Sequence, residues 1–380
     1  MKKIKVMPIF GTRPEAIKMA PLILALKERS DEFETVVTVT AQHREMLDQV
    51  LEIFKITPDH DLNVMQPDQT LATITTSVLT KLDKVIKEER PDIILVHGDT
   101  STTFAASLAA FYNQVAIGHV EAGLRTWNKY SPYPEEMNRQ LTDVMADLYF
   151  APTKESKQNL LHEAHDAKNI YVTGNTAIDA LKQTVDNNYD HEILEDIDPD
   201  KKIVLVTMHR RENQGKPMEE VFNAIKEVVN SHPEVEVIYP VHLSPAVQKI
   251  AHQVFDSVSR VHLIKPLDVV DFHNLAARSH FIMSDSGGVQ EEAPALGKPV
   301  LVLRDTTERP EGIKAGTLKL VGTKKENVKA EMEKLLTDEK SYQEMAQAKN
   351  PYGDGTASQK ILDAIAYYFG NTKTRPAEFE

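Results

Sequence analysis

Short runs rich in β-branched and other apolar residues recur along this chain, each followed by a segment with helical spacing, and this alternation rules out most folds. Strands are expected at Lys5–Phe10, Thr35–Thr40, Asp92–Val96, Val115–Val120, Leu148–Ala151 and Ile170–Thr173. Helical patterns lie between them, among them Ala16–Lys27, Leu71–Glu88, Thr103–Phe111 and Glu135–Met145. The series then restarts at Lys202–Thr207 and continues through Val235–Pro240, Arg260–Ile264, His280–Met283 and Pro299–Leu303. Apolar strands alternating with helices call for parallel sheets joined by right-handed crossovers, because such strands must be covered on both faces. Two successive series predict two doubly wound, Rossmann-like α/β domains. The chain's 380 residues suit two domains better than one. The first is expected over residues 1–175 and the second over 176–355. A last helix, Ala357–Phe369 within 356–380, could pack back on the first. The polar stretch Asp186–Lys202 interrupts the pattern most and is a plausible neighbourhood for the linker, although the boundary could lie earlier.

Composition removes several classes of function. A formal charge of −13 opposes general affinity for nucleic acid or an anionic membrane, since phosphates would be repelled. It leaves room for one small phosphate held locally by Arg, Lys and backbone N–H groups. With no cysteine, thiol catalysis, disulfides and Cys-based metal sites are excluded. The start, MKKIKVMPIF, has too short an apolar run for a signal peptide, and Pro8, Gly11 and Arg13 interrupt it. No uncharged run is long enough to span a bilayer. A soluble, cytoplasmic protein is the expectation, with no metal and no cofactor.

In open parallel sheets ligands sit beyond the carboxyl ends of the strands, and here nearly every strand ends in polar or glycine-rich residues. Gly11-Thr12-Arg13-Pro14-Glu15 combines a tight turn, capping-box spacing and a proline suited to a first helical turn. It is a capped helix, or a capped helix whose free N–H groups and Arg13 face an anion, with Lys18 one turn along. His97-Gly98-Asp99-Thr100 places an acid at a strand end, where capping is the commoner fate. Glu121-Ala122-Gly123-Leu124-Arg125 ends another strand, and Glu135 and Glu136 open a helix. Several carboxylates converging at adjacent strand ends would repel one another, raise a pKa and create acid/base candidates.

Two more segments follow strands of the second half. His209-Arg210-Arg211-Glu212-Asn213 can neutralise a pyrophosphate or be a surface charge cluster. Zinc lacks a His partner at helical spacing. Ser284-Asp285-Ser286-Gly287-Gly288 makes a glycine-containing turn into a helix, a phosphate cradle, with Glu292 about one turn in. Neither the Walker motif nor the dinucleotide G-x-G-x-x-G is matched, so ATP hydrolysis and tightly held NAD lose support. Arg304–Gly312 is a further polar strand end.

Taken together, FGTRPEAIKMAP (Phe10–Pro21), HGDTSTT (His97–Thr103), GHVEAGLRT (Gly118–Thr126), PYPEEMNR (Pro132–Arg139), TGNTAIDAL (Thr173–Leu181), HRREN (His209–Asn213), DSGGVQEEAPALGKPVLVLRDTTERPEG (Asp285–Gly312) and NPYGDG (Asn350–Gly355) closely resemble the non-hydrolysing UDP-N-acetylglucosamine 2-epimerase family, in its order and over nearly the whole chain. The resemblance implies the glycosyltransferase-B architecture with the substrate in the interdomain cleft. It also implies interconversion of UDP-GlcNAc and UDP-ManNAc through 2-acetamidoglucal, without NAD or a metal, and a homodimer. Carried over by position, Asp99, Glu121 and Glu135 would be the acid/base carboxylates, and His209 would steady the departing diphosphate. Arg13, Ser286, Gly287 and Gly288 would bind phosphates, Glu292 the ribose and Phe272 the uracil face, with Lys18 and Arg309 as further site residues. Relatives can carry a second, activating UDP-GlcNAc, whose ligands match Gln42, His43, Glu136, Arg210 and His242. Glu45 and Asp68 stand where the family pattern expects Gln and Arg, which should weaken that site.

Overall fold

The computed structural model of the chain describes residues 3–41, 44–66, 69–307 and 309–380. They form two compact units, Met1–Ala180 with Tyr352–Glu380, and Leu181–Pro351.

Unit 1 contains β1 (Ile4–Phe10), α1 (Arg13–Glu28), β2 (Phe33–Thr35), β3 (Thr38–Val39), α2 (Arg44–Ile53), β4 (His60–Asp61), α3 (Leu71–Glu89), β5 (Ile93–His97), α4 (Ser101–Tyr112), β6 (Ala116–Val120), α5 (Glu135–Met145), β7 (Leu148–Ala151), α6 (Lys154–His162) and β8 (Ile170–Val172). Helix α7 (Thr176–Thr184) then carries the chain into unit 2, so the crossing falls within a helix. The polar stretch Asp186–Lys202 belongs wholly to unit 2 and holds the short α8 (Glu192–Glu195).

Unit 2 continues with β9 (Lys202–Thr207), α9 (Lys216–Ser231), β10 (Val235–Pro240), α10 (Pro245–Phe255), β11 (Val261–Ile264), α11 (Val269–Arg278), β12 (Phe281–Ser284), α12 (Gly287–Glu292), β13 (Val300–Val302), α13 (Pro310–Ala315), β14 (Leu318–Leu320), α14 (Lys325–Thr337) and α15 (Glu339–Ala346). Helix α16 (Ala357–Tyr368) follows in unit 1.

Every strand pairing in both sheets is parallel. The first sheet runs β4-β3-β1-β5-β6-β7-β8, with β2 paired to the start of β1, and the second β11-β10-β9-β12-β13-β14. Each order reverses once, at the β1/β5 boundary in the first sheet and the β9/β12 boundary in the second. Those reversals are the switch points at which α/β sheets open a crevice for ligands.

The expected strand Thr35–Thr40 is split in two. The Val37 N–H turns to the Asp59 carboxylate at 2.7 Å, while the Val37 carbonyl accepts the N–H groups of Asp59 and His60. Both halves pair with β1, and the second half also pairs with β4 on its other side. Strands β4 and β14, two and three residues long, have no sequence signal of their own. Helix α1 starts at Arg13, three residues before its apolar stripe. The Glu15 carboxylate accepts the N–H groups of Thr12 (2.8 Å) and Gly11 (3.1 Å) and so begins the helix earlier.

Successive strand residues feed two cores. Val204 and Val206 pack with Phe222 and Ile225 of α9 and with Met332 of α14, whereas Leu205 packs with Leu275 of α11 and Val289 of α12. In unit 1, Met7, Ile9, Ile94 and Val96 pack against Val78 and Leu82 of α3 and Ala105, Ala106, Ala109 and Ala110 of α4. Each fully buried aliphatic side chain contributes about 1.5–3 kcal/mol. Small alanines let α4 approach the sheet and α3 closely. Asp179 of α7 accepts the N–H groups of Ala357 (3.2 Å) and Ser358 (2.8 Å), capping α16 from another element. Among the described residues no helix is long and apolar enough to cross a membrane.

His97, the last residue of β5, is buried, and its Nε2 has no hydrogen-bond partner among the described residues. Burial pushes its pKa down to about 4 from an ordinary 6.5. A depressed histidine pKa gives stability that is present above pH 6.5 and is lost as pH falls through 4. The 2.5-unit interval, 6.5 minus 4, corresponds to about 3 kcal/mol. Denaturant melts between pH 7.5 and 4 should show a flatter stability profile for His97→Asn than for the parent chain; parallel profiles would show that His97 does not titrate in this window.

Candidate functional site

In unit 1 the candidate residues gather at the carboxyl ends of β1, β5 and β6. Gly11 is required by close approach: a Cβ there would lie 2.0 Å from Thr40 Oγ1. Behind it, the buried Glu15 carboxylate accepts four hydrogen bonds. They come from Gly11 N, Thr12 N, Thr100 Oγ1 (2.6 Å) and Thr103 Oγ1 (3.2 Å). Burial raises the Glu15 pKa and these donors pull it back. One carboxylate thus joins the turn after β1 to the turn after β5. Arg13, partly buried, stands at the first residue of α1, and Lys18 one turn further forms an ion pair with Glu121.

Asp99 follows Gly98, whose φ of +66° is a left-handed conformation suited to glycine. Its carboxylate meets Arg139 Nη2 at 2.8 Å, and Asn138 Nδ2 donates to its backbone carbonyl at 2.9 Å. Burial raises the Asp99 pKa. Arg139 and Lys18 oppose that rise, whereas Glu121 and Glu135 push it further up. The three acids therefore share one electrostatic field, as convergence at neighbouring strand ends predicts. Glu121 has a φ of +67°, a strained backbone for a residue with a side chain, costing on the order of 1–3 kcal/mol. Asn175 Nδ2 donates to its Oε2 at 2.8 Å and His97 Nε2 lies 3.7 Å away. Glu135 is the first residue of α5, partly buried.

Glu136, its neighbour, is fully buried and turned to a different task. It accepts the N–H groups of Thr126 and Trp127 (both 3.1 Å) and Gln140 Nε2 (2.8 Å), bracing the loop before α5.

In unit 2 the candidates divide into two groups. Around the β9/β12 switch, His209 stacks on His242 with ring centroids 5.6 Å apart and planes at 15°, and Arg210 Nη1 lies 3.5 Å from Glu212. Ser286 stands at the N-cap position of α12 without a side-chain cap bond, and its N–H donates to Ser284 Oγ at 2.9 Å. The Arg309 guanidinium packs against Gly287, where a Cβ would come within 2.6 Å of Nη1 and push the guanidinium aside. Arg309 Nε in turn donates to the buried Glu291 carboxylate at 2.7 Å. The second group is on α11 and α12: Glu292 lies 3.5 Å from His273 Nε2, His273 Nδ1 meets Thr184 Oγ1 at 2.7 Å, and Phe272 is partly buried beside them. A Cβ at Gly288 would be 3.6 Å from Glu292 Oε1. Gln42, His43 and Asp68, and the Glu45 side chain, lie outside the described residues. Among those described, no group of three or more His, Asp and Glu is placed to hold a metal ion.

Several residues on which these groups depend carry no role in the sequence reading. Arg139 is one helical turn beyond Glu135, a spacing that could have paired it with the acids. His119, a lone histidine in an apolar strand, is fully buried. Its Nδ1 meets Asp143 Oδ1 at 2.6 Å and its Nε2 meets the Gly98 carbonyl at 2.7 Å. Burial alone would raise the Asp143 pKa, but His119 and Arg125 hold it below the ordinary value. Both ring nitrogens thus sit within hydrogen-bonding distance of an oxygen. This buried set fixes the Gly98 turn that carries Asp99. Asn175 and Asp285 are the other two, and nothing in their local sequence distinguishes them from ordinary turn residues.

In unit 1, Asp99, Glu121 and Glu135 are groups able to take up and release protons; in unit 2, Arg210, Arg309, the His209 ring and the Ser286–Gly288 turn can offer donors to an anion. A Bacillus subtilis UDP-N-acetylglucosamine 2-epimerase is 61% identical over 379 residues, spanning 100% of this chain and 99% of its own. The crystal structure of the Neisseria meningitidis UDP-GlcNAc 2-epimerase bound to UDP-GlcNAc is 49% identical with a TM-score of 0.86, covering 95% of this chain and 99% of its own. A Rickettsia africae glycosyltransferase structure, 14% identical, shares the fold with a TM-score of 0.64 over 98% of this chain and 100% of its own. The family profile described as UDP-N-acetylglucosamine 2-epimerase matches residues 25–366, and on that match and those identities the chain belongs to the UDP-N-acetylglucosamine 2-epimerase family.

Proposed function

We propose that the chain interconverts UDP-GlcNAc and UDP-ManNAc by eliminating UDP across C1–C2 and adding it back, supplying ManNAc units for cell-surface polysaccharide. The C2 proton is not acidic, because no carbonyl neighbours it. Breaking the C1–O bond to UDP while a carboxylate takes the C2 proton gives 2-acetamidoglucal. Re-addition of UDP at C1 with a proton delivered to the other face of C2 completes the inversion. Such a route requires two proton-handling groups and strong stabilisation of the departing diphosphate. The observation that carries this reading is the cluster of Asp99, Glu121 and Glu135, in which burial and the other two acids raise the Asp99 pKa. A buried acid with a raised pKa holds its proton more firmly than a free one, which suits a group that gives a proton to C2. His209, Arg13 and the Ser286–Gly288 turn serve the diphosphate, Glu292 the ribose and Phe272 the uracil. Lys18 and Arg309 hold Glu121 and the glycine turn in place.

NMR of UDP-GlcNAc incubated with the protein in D2O tests the reaction. Deuterium should appear at C2 together with UDP-ManNAc, in EDTA and with no NAD added. Free ManNAc with UDP would instead identify a hydrolysing enzyme, and loss of turnover on chelation or dialysis, restored by a metal or NAD, would overturn the elimination route.

Asp99→Asn, Glu121→Gln and Glu135→Gln should each lower kcat by on the order of a hundredfold or more while melting as cooperatively as the parent. Near-normal turnover in all three would remove the acid/base roles.

Activation by a second UDP-GlcNAc should be weak. This chain has Glu45 and Asp68 at positions where the family pattern has Gln and Arg, and a lost charge-assisted contact costs about 1.5–3 kcal/mol, one or two powers of ten in affinity. Glu136, already committed to Thr126 and Trp127, supports the same view. The reverse reaction from UDP-ManNAc should therefore start without a lag; a strict requirement for trace UDP-GlcNAc would refute this.

A further inference from the structure

Thr207 and Ser284 are register partners in the adjacent parallel strands β9 and β12, so the residues that follow leave the sheet side by side. The Asp285 N–H donates to the Thr207 carbonyl at 3.2 Å, and its fully buried carboxylate turns over the segment leaving β9. Oδ2 accepts the N–H groups of His209 (3.0 Å) and Arg210 (2.9 Å) and the side-chain amide of Asn213 (2.9 Å). Oδ1 faces His209 from the other side, 3.2 Å from its backbone N–H and 3.3 Å from its ring Nδ1. The His209 ring is otherwise open, with 42% of the side chain exposed and His242 stacked on one face.

A carboxylate oxygen only accepts, so a hydrogen bond across this 3.3 Å contact would place the hydrogen on Nδ1. That leaves Nε2, on the far edge of the ring, as the atom turned away from Asp285. We propose that Asp285 is a positioning residue for His209: it fixes the ring's aim, keeps the proton on Nδ1, and supplies the counter-charge when Nε2 becomes protonated. The inference rests on the reading above in which His209 attends the departing diphosphate, and it explains why a buried carboxylate stands where turn N–H groups alone would be satisfied by a neutral amide. Burying a carboxylate is costly unless it is hydrogen-bonded, and the contacts to Asp285 are two backbone N–H groups, the Asn213 amide and the edge of the His209 ring.

Asp285→Asn separates the two explanations. An amide oxygen in the Oδ2 position still accepts from His209 N, Arg210 N and Asn213. Its NH2, in the Oδ1 position, then faces Nδ1 and requires a lone pair there, which drives the ring proton to Nε2. The 15N shifts of the His209 ring, assigned against His209→Asn and read near pH 9 where an unpaired imidazole is neutral, should change from the Nδ1–H to the Nε2–H pattern. With that change kcat for UDP-GlcNAc should fall on the order of a hundredfold, KM staying within about threefold. In the His209→Asn background the same substitution should cost less than about threefold in kcat, because its target is gone. That comparison stands even if Asp285→Asn melts early. An Nδ1–H ring in the variant, or a loss that adds in full to that of His209→Asn, overturns the proposal and leaves Asp285 as a turn acceptor only. A switched ring with unchanged kcat removes His209 from the reaction, and so identifies a failure of the preceding reading.

Discussion

Each unit of this protein is organised around a carboxylate buried at the switch point of its sheet. In unit 1 it is Glu15, which accepts two backbone N–H groups from the turn after β1 and two threonine hydroxyls from the segment after β5. In unit 2 it is Asp285, which leaves β12 and accepts two backbone N–H groups and an asparagine amide from the turn after β9. The need is the same in both. Parallel strands that part at a switch point leave turn N–H groups with no neighbouring strand to accept them, and a buried polar group without a partner costs about 1–3 kcal/mol. One carboxylate satisfies several at once and locks two turns into one relative geometry. The candidate residues Arg13, Asp99, His209 and Arg210 are placed by those turns.

A second consequence concerns charge. The first unit brings three acids to one region, and bringing like charges together in a partly buried place is unfavourable unless cations accompany them. Lys18 on Glu121 and Arg139 on Asp99 supply that company from α1 and α5, two different elements. Behind them Arg125, Asp143 and His119 form a fully buried set that anchors the Gly98 turn. Asp99 remains raised because burial and the other two acids outweigh Arg139 and Lys18. The strained Glu121 backbone belongs to the same economy. Pairing with Lys18 and Asn175 holds a conformation that the isolated chain would leave, and it sets the carboxylate among its partners instead of along the strand.

The sequence by itself determined the class of fold. Long apolar strand runs with helical segments between them have few packed solutions, and the strands at Leu148–Ala151, Lys202–Thr207 and Val235–Pro240 fall where their patterns end. It also singled out the turn residues at the switch points, because polar and glycine-rich strand ends stand out against apolar runs, and the motif set pointed to the family. Short strands such as β4 and β14 were not legible, since two or three residues carry no periodicity and pair only because the neighbouring strand offers a free edge. Nor was the split of Thr35–Thr40, which depends on the Asp59 carboxylate reaching Val37 from 22 positions away. The tertiary structure alone decided which acids share a field and which are spent on the scaffold. Glu135 and Glu136 are adjacent and chemically alike, yet one is felt by Asp99 and the other is buried under the Thr126–Trp127 loop. Successive helical positions point about 100° apart, and which direction faces the acids depends on how α5 packs. The roles of Arg139, Asn175, His119 and Asp285 were hidden for the same reason: each acts on a residue distant in sequence, and only the register of parallel strands brings the two together.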